Sequence, residues 1–300
     1  MPKEFLEQLA AIVEKRKGKT HDIRTTHVVK NNGTTLDGLT ILEKGETVAP
    51  TIYVNEYYTL YLEGKDPECI ADDILLQYEE AVKNQIYRLD DATFSLSVIQ
   101  EKIIYRLVNF EKNKKELKKL PYIPFLDLAI TFHCLIGKGD KEIGTIRVTM
   151  EMMEQWKFDI KKLWKTAKKN TETMFPAQIR PMEEVICGIF EKEENSWMPM
   201  EKPDFSGPKM YIASNKLGIN GAATLLYEKT ISSFAQSCQC DFYILPSSIH
   251  ELILIPYQES ITKEDLCEMV RDVNRTQVPE EDILSDNVYF YSRKKGICPA

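Results

Sequence analysis

With 300 residues, of which 43% are hydrophobic, 10% aromatic and 28% charged, the chain has an ordinary globular composition, which excludes extensive disorder and allows one large or two small domains. Its net charge of -7 gives no general pull toward phosphate backbones, because non-specific nucleic-acid binding rests on cationic side chains that displace counterions. No stretch approaches the roughly 20 apolar residues of a bilayer span, and the seven cysteines follow no disulfide or metal spacing.

The chain opens on a helical pattern with Phe5, Leu9, Ile12 and Val13 on one face. Glu4, Glu7 and Glu14 break the apolar centre that an export signal requires, so a reducing cytoplasm is the expected location. HDIRTTHVVKN and TTLDGLTILEKG then read as two strands joined by Asn31, Asn32 and Gly33, since Asn-Gly supplies the positive φ angles of a hairpin turn. Pro50 is expected to open a helix with Tyr53, Tyr57, Leu60 and Tyr61 on one face, ended by Gly64. Asp66 and Pro67 cap and start the next, which carries Ile70, Ile74, Tyr78 and Val82. This N-terminal region is taken as residues 1–100.

From residue 101 the pattern predicts a strand in KIIYRLVNF, a short helix in EKNKKELKK and strands in DLAITFHCLI and EIGTIRV. A long helix from about residue 149 and a closing strand in EEVICGIFEK follow. That is a βαββαβ order over residues 101–192. A polar, proline-containing stretch at 193–208 reads as a linker or surface loop. The order then recurs over 209–300: strand KMYIAS, helix GAATLLYEKTISSFAQ, strands CDFYIL and ELILIP, helix TKEDLCEMVRDVNRT and strand NVYFYSR. Thr262 and Asp265 are placed to cap the last helix, with Ile261 and Leu266 as a hydrophobic staple. The expected fold is α+β, with mixed, largely antiparallel sheets, helices on one face, and two ferredoxin-like βαββαβ modules behind an N-terminal hairpin and helices.

The run ILPSSIHELILIP holds the densest set of reactive side chains: Ser247, Ser248, His250 and Glu251. A nucleophilic serine needs a base within hydrogen-bond reach and donors for an oxyanion. Ser248 and His250 lie two apart, but no Gly-x-Ser-x-Gly elbow surrounds them, so a hairpin corner with polar residues at a strand entrance is the plainer reading. In SNKLGINGAA, residues Gly218, Asn220 and Gly221 sit between a strand and a helix start, where free amides favour anions; a tight turn explains the glycines equally well. On the helix near 149, Trp156, Ile160, Leu163 and Trp164 form an apolar stripe. Lys157, Lys161, Lys165 and Lys168 crowd the rest, either as a solvated face or as a basic patch. His21, His27 and His133 read as satisfied strand histidines, and Cys238 with Cys240 as small buried hydrophobes rather than metal ligands. The acidic pairs Asp72–Asp73 and Glu280–Glu281 read as solvated or capping groups. No catalytic residue, metal site or cofactor is assigned.

In the segments GLTILEKGETVAPTIYVNEYY, IIYRLVNFEKNKKEL with LPYIPFLDLAI, MYIASNKLGINGAATLLY, ILPSSIHELILIP and LSDNVYFYSR, the chain resembles the uncharacterised bacterial family DUF5688, found chiefly in gut Firmicutes. The resemblance implies a cytoplasmic bacterial protein and is compatible with carriage on a mobile element. It transfers no activity and no catalytic residues. The expected function is an interaction or regulatory protein without catalysis, with a protein partner and neither nucleic acid nor membrane. The alternative is a small-molecule-binding protein or hydrolase with a site near Ser247–Glu251 and Gly218–Gly221.

Overall fold

The computed structural model describes residues 3–46, 49–83, 96–138, 143–193 and 207–300. The chain divides into two compact units, Met1–Ser95 with Ile136–Lys138, and Leu96–Leu135 with Gly139–Ala300. The fold is α+β.

In the first unit, helix α1 (Lys3–Lys17) is followed by strands β1 (His21–Val29), β2 (Thr35–Glu43) and β3 (Thr51–Tyr53), then helices α2 (Asn55–Leu62) and α3 (Pro67–Lys83). The strands pair antiparallel in the order β1-β2-β3. Asn32 (φ 57°) and Gly33 (φ 74°) turn the β1–β2 hairpin, the left-handed geometry that these two residue types tolerate. The helix expected from Pro50 begins only at Asn55, because Thr51–Tyr53 is taken up as the third strand. Phe5, Leu9, Val13, Leu39, Ile41 and Ile74 are among the residues of its core. Asp66 caps α3 by accepting from the Glu68 amide at 2.9 Å.

The second unit holds α4 (Leu96–Gln100), β4 (Ile103–Asn109), α5 (Lys114–Leu117), β5 (Tyr122–Phe125), β6 (Leu128–Lys138), β7 (Ile143–Arg147), α6 (Met150–Gln155), α7 (Ile160–Met174), β8 (Ala177–Pro181), α8 (Met182–Glu193), β9 (Tyr211–Asn215), α9 (Glu228–Cys238), β10 (Phe242–Leu245), β11 (Leu252–Pro256), α10 (Lys263–Thr276), β12 (Tyr289–Ser292) and β13 (Gly296–Pro299). Strands β4, β6 and β5 form one sheet, to which β7 adds by pairing with β6. The other sheet is antiparallel throughout in the order β13-β12-β10-β11-β9-β8.

Several expectations change here. EEVICGIFEK is helix α8, not a strand; the closing strand of that stretch is β8, which joins the same sheet as β9 to β12. The two stretches expected as modules therefore share a sheet, and they also share a core that includes Tyr105, Phe132, Leu163, Phe234, Phe242 and Tyr289. Residues 194–206 of the expected linker lie outside the described residues. The order β12-β10-β11-β9 puts the β10–β11 hairpin in the middle, whereas a ferredoxin-like sheet would place its first and third strands there. Helices also cover both faces of this sheet. Phe242 and Ile244 point to the core that holds α9, while Tyr243 and Leu245 pack with Leu266 and Val270 of α10. Burial on both faces is why β10 and β11 read as continuous apolar runs rather than alternating ones. The long helix expected from 149 breaks in two, because Asp159 caps α7 by accepting from the Lys162 amide at 2.6 Å and Lys157 turns with φ 54°.

Candidate functional site

The two stretches singled out in the sequence meet at one corner of the six-stranded sheet. After β9, Asn215 folds the chain back on itself: its Nδ2 donates to the Ile219 carbonyl at 2.7 Å and its Oδ1 accepts from the Leu217 amide at 2.9 Å. Gly218 (φ 69°) and Asn220 (φ 51°) complete the turn in left-handed conformations. Gly221 begins a 3-10 helix, Gly221–Leu226, whose residues are all buried; α9 starts only after it. The single helix expected over GAATLLYEKTISSFAQ is thus two elements.

The second half of the corner is the six-residue link from β10 to β11. Its main chain is fastened to the segment before β12: the Ile249 amide donates to the Asp282 carbonyl at 2.8 Å, Leu284 to Ser247 and Ser285 to Pro246, both at 2.9 Å. The Ala222 amide donates to the Ile249 carbonyl at 3.1 Å, which ties the turn to the link.

His250 stands between them. Its Nδ1 accepts from the Asn220 amide at 3.3 Å and its Nε2 faces Asp282 Oδ1 at 3.3 Å. The hydrogen bond to Asp282 raises the imidazole pKa above its ordinary value; burial opposes this, and the charges of Asp282 and Glu251 and the Gly218 carbonyl add to it. Ser248 is buried, and its Oγ accepts from the His250 main-chain amide at 3.0 Å. Ser247 is buried as well, and Glu251 is half-buried.

This geometry brings Gly218, Asn220, Gly221, Ser248 and His250 together, flanked by Ser247 and Glu251. It does not assemble a nucleophile with a base, because both ring nitrogens face other partners. The amides that an anion would use are also engaged, that of Asn220 by His250 and that of Ala222 by Ile249. A cavity that reaches from Asn215, Asn220 and Tyr227 to Arg106 and Phe175 has only about 10 Å³, room for one water. An open groove of about 450 Å³ lies elsewhere, lined by Ile179, Lys229, Thr230, Ser233, Phe234 and Ser237.

Three residues that complete the corner were not singled out in the sequence. Asp282 and Asn215 reach it as described, and Ser214 Oγ donates to the His250 carbonyl at 2.7 Å. Asp282 lies 32 positions from His250 inside an acidic run, and no local spacing announces the pair.

The lysines separate. Lys161 and Lys165 are exposed on α7, and Lys157 is exposed before it. Lys168 is engaged, with Nζ 2.5 Å from Glu228 Oε1. All seven cysteines are free. Burial, and then the neighbouring Cys240, raise the Cys238 thiol, which keeps it protonated. Among the described residues no group of three or more His, Cys, Asp or Glu side chains could hold a metal, and no helix is long and apolar enough to cross a membrane.

Fold and corner define an α+β protein with a closed polar corner in place of an assembled nucleophile. The chain belongs to the family of unknown function DUF5688, whose model matches residues 2–293. No curated protein and no solved structure matches it.

Proposed function

We propose that this chain is a cytoplasmic bacterial interaction or regulatory protein without catalytic activity, which recognises an acidic protein surface through the lysine face of α7. The observation that carries the reading is the charge asymmetry of this element. Residues 157–169 hold six lysines and one acid in a chain of net charge -7. Leu163, Ala167 and Thr171 are buried against the rest of the unit, while Lys161, Lys165 and Lys169 stay exposed at helical spacing. A local positive field on an acidic protein favours an opposite-sign partner and raises its association rate at low salt. The corner at His250 lends no support to a hydrolase, since Ser248 Oγ bonds a main-chain amide and not the imidazole.

The test is capture from the native host with the wild-type chain and with a Lys161→Glu, Lys165→Glu, Lys169→Glu variant. The expected result is one recurrent protein, released by moderate salt and lost with the variant. Equal capture by both, or no recurrent protein, overturns the reading. Salt-sensitive gel retardation of DNA or RNA that the variant abolishes would replace the acidic protein with a nucleic acid.

A further inference from the structure

Arg106 is the one charged residue in the strand IIYRLVN. Alternation along β4 sends Ile103, Tyr105 and Leu107 into the main core and turns Ile104 and Arg106 to the other face. Pairing with β6 sets Thr131 opposite Arg106 and His133 opposite Ile104, so those side chains share that face. The guanidinium reaches Thr145 of β7, where Nη2 donates to Oγ1 at 2.8 Å, and Arg147, two residues on, points the same way. Three strands, β4, β6 and β7, thus present two arginines, two threonines and a histidine on one face.

Within the cluster the two arginines differ in their partners. Arg106 keeps part of its surface exposed, yet its Nε is shut off from water and has no hydrogen-bond partner among the described residues. Burial, and then the charge of Arg147, lower its pKa to about 10. His133 is driven well below its ordinary value by burial and then by Arg106 and Arg147, so its imidazole is neutral; its Nε2 lies 3.0 Å from Thr131 Oγ1. Among the described residues no carboxylate forms an ion pair with Arg106, and Arg147 has Glu116 at 3.7 Å. A guanidinium withdrawn from water is costly to keep without a partner anion.

We propose that Arg106, Arg147, Thr145, Thr131 and His133 form a binding site for an oxyanion, the phosphate or carboxylate group of a small molecule. The planar guanidinium fork matches either group and is stronger in that role than an ammonium. Thr145 Oγ1 already accepts from Arg106, which leaves its own hydrogen free to donate to the same anion. Neutral His133 adds no third cation and can donate from its N–H. Ile104, Leu135 and Phe175 form a buried apolar cluster beside it on this face, which leaves the polar groups at its edge to receive the anion. The site uses none of the α7 lysines, so it stands or falls independently of the acidic-partner reading.

The test is calorimetry and thermal melting of the full chain with inorganic phosphate and with succinate, against chloride at matched ionic strength. Saturable binding and a rise in Tm with either anion is expected, and which one binds identifies the group. Arg147→Gln, at a half-exposed position, should weaken binding about tenfold or more by removing one charge-assisted contact, with little change of Tm in chloride. Arg106→Lys should do the same by replacing the fork with a point charge; if that variant does not fold, Arg147→Gln decides alone. No stabilisation beyond chloride, or unchanged affinity in Arg147→Gln, overturns the proposal.

Discussion

Gly221 and His250 meet through their main chains: a methyl group on Gly221 would lie 2.3 Å from the His250 carbonyl oxygen, and 2.0 Å from Ser214 Oγ. The turn after β9 and the link between β10 and β11 are thus pressed together at a point where only glycine fits. Gly221→Ala must push the two apart or expel the Ser214 hydroxyl, and should cost at least about 2 kcal/mol, in the range for overpacking a fixed core. Gly218→Ala meets no neighbour but keeps a positive φ, and should cost about 1 kcal/mol. Urea unfolding of both variants checks the order; equal losses would mean that the contact relaxes freely.

Two histidines should tilt stability in opposite directions around pH 6.5. His250 is raised in the folded state, chiefly by Asp282, so its contribution is fully present below the unfolded value near 6.5 and is lost as pH rises through the folded pKa. His133 is depressed, chiefly by burial, so the unfolded chain binds the extra proton and the contribution is lost as pH falls below about 6.5. Melts between pH 5 and 8.5 separate them. In Asp282→Asn the deficit relative to wild type should be largest at acidic pH and shrink above 7. In His133→Gln the acid-side loss of stability should flatten. A deficit in Asp282→Asn that is constant with pH would remove the imidazole from the account.

Thr262 caps α10, with its Oγ1 accepting from the Asp265 amide at 3.2 Å and donating to Asp265 Oδ2 at 2.6 Å. Thr262→Ala should cost about 1 kcal/mol by leaving that amide unpaired. Ile261 and Leu266 pack in the same cluster and remain in place, so the helix should persist and only its free energy change. A denaturation midpoint equal to wild type would show that water replaces the cap.

This cap was legible in the sequence because all its parts lie within five residues, as were the Asn32–Gly33 hairpin and the apolar strands β10 and β11. The failures share a different cause. Val185, Ile186, Ile189 and Phe190 recur at helical spacing as well as in a β-like run, and only pairing with β9 decides that AQIRP, not EEVICGIFEK, is the strand. The reactive corner was half legible: Ser248, His250, Gly218 and Gly221 stand out by type, but Asp282 and Asn215 are ordinary residues until the sheet brings them there. Arg106 is visible as a charge inside an apolar strand, yet the face it shares with Thr145 and Arg147 depends on a strand pairing that no local pattern encodes.

Asp127 is the other polar junction of this unit, and it too joins distant segments. Its Oδ2 accepts from Ser285 Oγ at 2.6 Å and from Asn287 Nδ2 at 3.0 Å, its Oδ1 accepts from the Tyr289 hydroxyl, and its carbonyl takes the Phe110 amide at 3.0 Å. Ser285 is fully buried, and burial, then Asp127, hold the Tyr289 phenol well above its ordinary pKa, so it donates at any physiological pH. The loop between β5 and β6 is therefore tied to the start of β12 by three side-chain donors that share one carboxylate. Asp127→Ala strands all three and should cost about 3 kcal/mol, whereas Tyr289→Phe removes one donor and should cost about half as much. Because the three bonds share one carboxylate, the double variant should cost little more than Asp127→Ala alone. Additive losses in chemical denaturation would show that Tyr289 stabilises the junction through its ring and not through Asp127.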